Sequence, residues 1–193
     1  MATFDVARHD TSPPAPGELE LLQRFMNLHV HDDEDRHVDP PLEMVRGFLV
    51  ERRLLRDADR FTQADQQTYL ELRQAIRNMI SAGFGQPVAR ADAETLDRLA
   101  VSSRLHPHFY TKQAPTLEPQ GRGVPAAFGR MVAIAFVAAF DGSLEHLKLC
   151  ADETCRSVFY DRSKNRSGRW CSMSSCGNRA KVRAWRERQR TDE

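Results

Sequence analysis

Residues 150–176 read CADETCRSVFYDRSKNRSGRWCSMSSC and contain all four cysteines of the chain. The cysteines form two C-x4-C pairs, Cys150 with Cys155 and Cys171 with Cys176. Two equally spaced pairs on either side of a short loop can bring four thiolates to one point, the tetrahedral arrangement of a structural zinc site. The spacing therefore predicts one structural Zn²⁺ bound by all four cysteines, with an iron–sulfur cluster as the alternative metal centre.

The rest of the sequence favours a reducing compartment for these cysteines. The first ten residues lack the apolar core of a signal peptide, and the longest apolar run, which includes Val132–Phe140, is far shorter than the roughly 20 residues that cross a bilayer. We therefore expect a cytoplasmic protein with no membrane partner. In that compartment thiols stay reduced, which favours a metal over two disulfides.

The charge is divided unevenly along the 193 residues. The formal net charge is +1, but residues 150–193 hold 11 Lys and Arg against 6 Asp and Glu, whereas residues 1–149 hold 17 against 21. An acidic body therefore precedes a basic C-terminal region. Such an asymmetry indicates an anionic partner for the basic part.

The bases of this region lie in the loop between the cysteine pairs and in the segment after Cys176, where Ala, Arg and Lys favour a helix. Arg and Lys contact phosphates, and a rigidly anchored basic helix can enter a major groove. We expect Val182 and Trp185 to dock this helix onto the zinc module. The candidate DNA-binding residues are Arg162, Lys164, Arg166, Arg169, Asn178, Arg179, Lys181, Arg183 and Arg186. Asn178, Arg179 and Arg183 are the candidates for base contacts; the alternative is a solvated helix face.

The first three quarters of the chain have helical periodicity. Helices are predicted at Glu18–His29, after Pro40-Pro41, from the capping box Thr62-x-x-Asp65 to Gly83, from Asp92 through Leu105, and at Val124–Phe140, with a hairpin within Pro107–Gln120. The predicted fold class is therefore mainly α. A disordered leader (1–16) precedes a helical domain with a small β-hairpin (17–146), and a zinc-finger module ending in a basic helix follows (147–193).

The segments Cys171–Arg179 and Phe159–Asn165, together with the first cysteine pair, resemble the CGNR zinc-finger family, whose tetrapeptide is Cys176-Gly177-Asn178-Arg179. The resemblance implies a bacterial DNA-binding regulator whose finger follows a helical domain called ABATE, associated with stress-induced transcription regulators and with ligand sensing. Residues 18–145 look compatible with ABATE through Phe25–Asn27 and Leu70–Arg77. For Asn27 and Arg73 the resemblance implies ligand binding, and the alternative is a structural role.

Together these features predict a transcriptional regulator that binds double-stranded DNA through a zinc finger. Its helical domain would sense a small-molecule effector or form a homodimer. The alternative is a zinc-stabilised module that docks on an acidic partner in the transcription machinery. We expect no enzymatic activity, because four thiolates leave zinc no open coordination position. Two weaker candidates are a second metal site at His29, His31 and His37, and a pocket at His106 and His108.

Overall fold

The computed structural model of the protein describes residues 12–31, 37–83, 85–111 and 114–191. Three short antiparallel strand pairs accompany the helices. The helices are α1 (Glu18–Met26), α2 (Leu42–Glu51), α3 (Gln63–Ala82), α4 (Arg90–Ser102), α5 (Gly123–Asp141) and α6 (Asn178–Thr191). The strand pairs are β1 (Val30–His31) with β2 (His37–Val38), β3 (Leu105–His108) with β4 (Thr116–Pro119), and β5 (Leu147–Leu149) with β6 (Val158–Tyr160). The mainly α fold and the predicted hairpin, β3–β4, are confirmed.

Local sequence signals mark the starts of α2 and α3 and the end of α5. The capping box at α3 is present in both directions: Thr62 N–H donates to Asp65 Oδ2 at 2.7 Å, and Asp65 N–H donates to Thr62 Oγ1 at 3.3 Å. Pro41 directly precedes α2, where its fixed φ suits a helix start. At its far end α5 stops at Gly142, whose φ of 82° is left-handed, a conformation that glycine adopts without steric cost.

Two helices, α1 and α4, differ from the prediction at their ends. α1 ends at Met26, three residues before the predicted end, because the chain turns at Asn27. α4 begins at Arg90 and ends at Ser102, so Asp92 is not its cap and Leu105 is not helical. Arg104 has a φ of 52°, which breaks the helix, and Leu105 pairs with Pro119 in the hairpin. Tertiary pairing here overrides the helical periodicity.

The apolar core lies among α1, α2, α3 and α5. Phe25, at 0% exposure, is its centre: the ring packs edge-on against Tyr69 at 5.0 Å and against Phe128 at 6.3 Å. The hydroxyl of Tyr69 donates to the carbonyl of Phe25 at 3.2 Å, so the polar group of this buried ring is satisfied. These contacts fix the C-terminal end of α1, which faces the zinc module.

α4 and α5 approach each other closely at Gly129. A Cβ atom at this position would lie 2.2 Å from Ser103 Oγ and 2.3 Å from Ser103 Cβ. Only glycine allows this distance between the two helices.

By length and apolar composition alone, α5 could cross a bilayer. In the described structure, however, 56% of its apolar window is buried, and a core helix meets the same criterion.

Residues 12–16 do not behave as the predicted disordered leader. Ser12 and Ala15 are buried, and Gln23 of α1 holds the segment through its side-chain amide. Gln23 Oε1 accepts from Ala15 N–H at 2.6 Å, and Gln23 Nε2 donates to Ser12 Oγ at 3.1 Å. Residues 1–11 of the predicted leader lie outside the described residues.

The β5–β6 hairpin joins the zinc module to the helical domain. Leu147 and Val158 belong to the same buried cluster as the helices, whereas Phe159 packs in a second cluster with the cysteines. Successive side chains of a strand point to opposite faces, so β6 contributes to both clusters. Cys150 follows β5, and Cys155 shortly precedes β6.

Candidate zinc centre and basic surface

The four cysteines converge on one point, as the spacing predicts. Their Sγ atoms all lie within 4.8 Å of one another, with Cys155–Cys171 at 3.6 Å and Cys171–Cys176 at 3.5 Å. A tetrahedron with Zn–S bonds of about 2.3 Å has S–S edges of about 3.8 Å. The sulfur cluster therefore fits one zinc ion, and the four cysteines form a site for it.

The pKa shifts of the cysteines indicate that the four sulfurs can all be thiolates only beside a cation. Burial, followed by the charge of Cys155, raises the pKa of the Cys176 thiol to about 12. Hydrogen bonding from Cys150 and Cys171 lowers the pKa of Cys155, so one thiolate is favoured while its neighbour is held protonated. Four thiolates coexist only when a metal cation compensates their mutual repulsion.

Asp152, between the first two cysteines, is fully buried and organises the surrounding residues. Its carboxylate accepts from Thr154 Oγ1 at 2.9 Å, from Arg179 Nε at 2.9 Å and from Arg183 Nη2 at 3.2 Å. Burial raises the pKa of this carboxyl, but the hydrogen bonds from Thr154 and Arg179 outweigh it and lower the pKa overall. Asp152 therefore ties the first cysteine loop to α6.

Arg179 also reaches a metal ligand. Its Nη2 lies 3.0 Å from Cys176 Sγ, and its Nη1 lies 3.2 Å from Ser175 Oγ. A donor to a coordinating thiolate spreads the negative charge of the cluster and orients the ligand. Sequence reasoning missed Asp152, although an Asp two residues before a Thr is a local turn signal.

The loop between the cysteine pairs folds around Asp161, a second buried carboxylate. It accepts from Lys148 Nζ at 2.8 Å, Ser163 N–H at 2.9 Å and Gly168 N–H at 2.8 Å. Burial opposes ionisation, but the hydrogen bonds, led by Lys148, lower the pKa of Asp161. A Cβ on Gly168 would lie 2.7 Å from the Asp161 carboxyl, so this close approach requires glycine.

The predicted DNA-contacting bases of this loop occupy different environments. Arg162 donates to the carbonyl of Pro14 at 2.7 Å and lies over the Tyr160 ring at 5.5 Å. Arg166 forms an ion pair with Glu145, and the Arg169 guanidinium lies 5.4 Å from the centre of the Trp170 ring. Lys164 is exposed and has no partner among the described residues.

On α6 the predicted bases divide into two groups. Arg179 and Arg183 are held by Asp152 and keep about half of their side-chain surface exposed, 48% and 47%. Lys181 and Arg186 are exposed and make no ion pair or hydrogen bond within the described ranges. The side-chain amide of Asn178 donates to the Ser174 carbonyl at 3.1 Å and caps the turn before α6.

Asn178, Arg179, Arg183 and Arg186, but not Lys181, border a shallow groove of about 450 Å³ on the surface of the module. Its walls are formed by Ser174, Ser175, Asn178, Arg179, Val182, Arg183 and Arg186. The groove combines hydroxyl, amide and guanidinium donors, a set that suits phosphate oxygens.

The prediction that Val182 and Trp185 dock α6 onto the zinc module is wrong. Both side chains are exposed, Val182 at 46% and Trp185 at 56%. The half-buried residues of the helix are Ala180 and Ala184, and the Asp152 ion pairs hold α6 in place. Small residues allow the helix to lie close to the module, so large apolar side chains are not needed there.

Asn27 and Arg73, the two residues predicted from the resemblance to bind a ligand, make structural contacts. Asn27 Nδ2 donates to the carbonyl of Val158 at 2.8 Å, and Asn27 Oδ1 accepts from Val158 N–H at 2.7 Å. Arg73 Nε donates to the carbonyl of Met26 at 3.1 Å, and Arg73 Nη1 pairs with Asp39 at 3.0 Å. Both residues also line a cleft of about 720 Å³ between the helical domain and the zinc module. Their ligand-binding role stays a prediction.

The histidine candidates are only partly described. The His108 ring stacks on Tyr110 at 4.3 Å and meets the His106 ring edge-on at 6.0 Å, which places both histidines in a cluster of rings on the β3–β4 hairpin. His29 Nδ1 lies 2.6 Å from the Asn27 carbonyl. The side chains of His31 and His37 and the acids at 32–35 fall outside the described residues.

The fold and the site define a helical domain that carries a C-terminal four-cysteine zinc module. Residues 146–189 match the family model of the CGNR zinc finger. The matched segment contains the four cysteines and α6 as far as Gln189, and the helical domain lies outside it. No curated protein matches the chain.

Proposed function

We propose that this protein is a DNA-binding transcriptional regulator in which the zinc module contacts double-stranded DNA. One observation carries the proposal. Asp152 and Asp161 of the module are buried and paired with bases, which leaves Glu153 and Glu187 as the exposed acids of its described part, whereas most bases of its loop and of α6 stay exposed. The surface around the metal site is therefore positive on a rigid support, as binding to a phosphate backbone requires.

The internal ion pairs refine the expected contacts. Lys164, Lys181 and Arg186 are exposed and supply phosphate contacts. Arg179 and Arg183 act first as supports of α6, and their side chains, about half exposed, line the groove beside Asn178. Base contacts by Asn178, Arg179 and Arg183 remain part of the proposal.

The test is the salt dependence of binding to a fluorescein-labelled duplex of random sequence, measured by fluorescence anisotropy. Each neutralised phosphate contributes about 0.9 to the slope of log K against log salt. Lys181→Ala and Arg186→Ala should each weaken binding and reduce the slope by about one. Arg90→Ala is the matched control, because the Arg90 side chain is 92% exposed on α4, outside the zinc module. Affinity that does not change with salt contradicts the proposal.

The alternative function, docking on an acidic protein partner, is supported by a different observation. Met173, Val182 and Trp185 are exposed apolar side chains of the zinc module, at 57%, 46% and 56%. Aromatic residues among bases are common at the centres of protein interfaces. Trp185→Ala separates the two functions: loss of partner capture after nuclease treatment, with the duplex affinity unchanged, favours docking.

For the helical domain we propose effector sensing or homodimerisation, in line with the ABATE-like features of its sequence. Phe136 and Phe140 of α5 are exposed at 59% and 85%, which supports an apolar contact surface. Light scattering on the zinc-loaded chain tests the dimer directly. We propose a structural role for zinc and no enzymatic one, because the four-thiolate site is closed, and a bacterial cytoplasmic location.

A further inference from the structure

A cleft of about 720 Å³ separates α3 from the first cysteine loop of the zinc module. Arg73 and Arg77 of α3 line one wall, together with the end of α1, and residues 153–157 line the other. The volume falls in the range of about 300–1,000 Å³ that small-molecule sites occupy. The cleft therefore has the size of a ligand site and walls from both parts of the molecule.

Three arginines line this cleft, and Arg77 is the most deeply buried of them. Arg77 is only 8% exposed, and its guanidinium donates to the backbone carbonyl of Arg156. Within the described part of the chain, no carboxylate pairs with it. The Arg73 side chain is 14% exposed, and the Arg156 side chain lies exposed beside Arg77 with no described partner. The cleft therefore offers a buried guanidinium, Arg77, that has no carboxylate partner among the described residues.

Three acids, Asp39, Glu71 and Glu153, also line the cleft, and in the described structure none of them pairs with Arg77. Asp39, 65% exposed, pairs with Arg73, and Glu71, 42% exposed, pairs with Arg98 outside the cleft. Glu153 is exposed to solvent, and the sulfur of Cys155 belongs to the metal site. Burying a cation without a counter-ion is costly, so the site favours an incoming anion that pairs with Arg77.

We propose that this cleft binds a small molecule through a carboxylate or phosphate group, held by Arg77 and Arg156. Guanidinium groups bind both oxyanions through paired, charge-assisted hydrogen bonds. Because Arg77 lies on α3 and Arg156 lies between Cys155 and β6, the bound anion links the helical domain to the zinc module. The inference deepens the effector-sensing part of the proposed function, rests on that part alone, and does not require DNA binding.

The test is a ¹H–¹⁵N chemical-shift titration of the zinc-loaded full chain with sodium phosphate and, separately, sodium acetate, with sodium chloride keeping the ionic strength constant. We expect saturable shifts at the amides of Arg77, Thr154, Arg156 and Ser157. The anion that saturates at lower concentration identifies the group recognised. Shifts confined to the basic loop and α6, or no saturable shift with either anion, overturn the inference.

Variants locate the binding. Arg77→Gln should raise the concentration at half-saturation about tenfold, as expected for loss of one charge-assisted contact. Because Arg77 also supports the fold, Arg156→Asn is the second variant: Asn tolerates the φ of 50° at this position, so the guanidinium group is removed without straining the backbone. Arg90→Gln is the matched control and should bind like the wild type. Unchanged binding in Arg156→Asn overturns the inference, and a chain that binds duplex DNA but neither anion overturns it while leaving DNA binding intact.

Discussion

At the scale of single residues, Asp152 decides how the basic surface is displayed. It is a buried carboxylate inside a basic segment, and two arginines of α6 converge on it. Arg179 and Arg183, predicted to contact DNA, are therefore partly directed toward the module, where they neutralise Asp152. Arg179 also approaches the Cys176 thiolate. One carboxylate thus couples the metal site to the orientation of the proposed DNA-binding helix.

Asp152→Asn should weaken zinc binding about tenfold, because outer-shell partners of metal ligands typically contribute a factor of 10–100. Asn keeps an oxygen for Thr154 but loses the charge that holds Arg179. Zinc affinity is measured by competition with a chromophoric chelator. The matched control is Glu153→Gln, which neutralises the adjacent, exposed carboxylate. Equal zinc affinities in the two variants would exclude a positioning role for Asp152.

Asn27 acts at the same scale between the two parts of the molecule. Its side-chain amide pairs with both backbone polar groups of Val158, which is completely buried. Without Asn27 the buried N–H of Val158 would lose this acceptor, at a cost of about 1–3 kcal/mol, and the Val158 carbonyl would keep only the longer hydrogen bond from Gln23 Nε2 at 3.5 Å.

Asn27→Ala should therefore lower the free energy of unfolding by about 2–4 kcal/mol, measured by urea denaturation of the zinc-loaded protein. Asn165→Ala, in the exposed part of the basic loop, is the control and should change stability by less than about 0.5 kcal/mol. If the two variants unfold at the same urea concentration, the Asn27 bridge adds nothing to stability.

At the scale of elements, local sequence signals were sufficient to predict those helix ends that are fixed by contacts within one turn. The Thr62–Asp65 box and the glycine at position 142 fix helix ends through contacts between near neighbours. The end of α4 was not predictable in this way, because the pairing of Leu105 with Pro119 decides it from outside the helix. The packing of α6 was missed for a related reason: Val182 and Trp185 fit an apolar stripe, but buried ion pairs orient the helix.

The α4–α5 contact gives a test at this scale. Gly129→Ala should destabilise the protein by about 1–3 kcal/mol, because its methyl group would lie against Ser103 and separate the helices. Gly47→Ala, in α2, has open space around the added methyl and should stabilise by about 0.5–1 kcal/mol. Thermal unfolding of both variants gives the comparison, and two shifts of the same sign would contradict it.

At the scale of the whole molecule, the zinc site itself was predictable and its attachment was not. The cysteine spacing encodes the metal site locally, and the four sulfurs converge as expected. The contacts that attach the module to the helices join residues far apart in sequence, as Asn27 with Val158 and Arg77 with Arg156. No local sequence pattern identifies such pairs, so the cleft between the zinc module and the helical domain could not be predicted from the sequence.

Because the metal site and the helical core are built from separate residues, we can predict how each responds to removal of zinc. The two tryptophans differ: Trp170 packs against the cysteine cluster, whereas Trp185 is exposed. In a Trp185→Phe background, chelation of zinc should shift the emission of Trp170 to longer wavelength, because metal binding supplies the folding energy of the module. Most of the helical circular dichroism should persist, since the core around Phe25 contains no cysteine. Added zinc should restore the emission. An unchanged Trp170 spectrum would show that the module stays folded without zinc. Loss of all helical signal on chelation would show that the helical core also needs the metal.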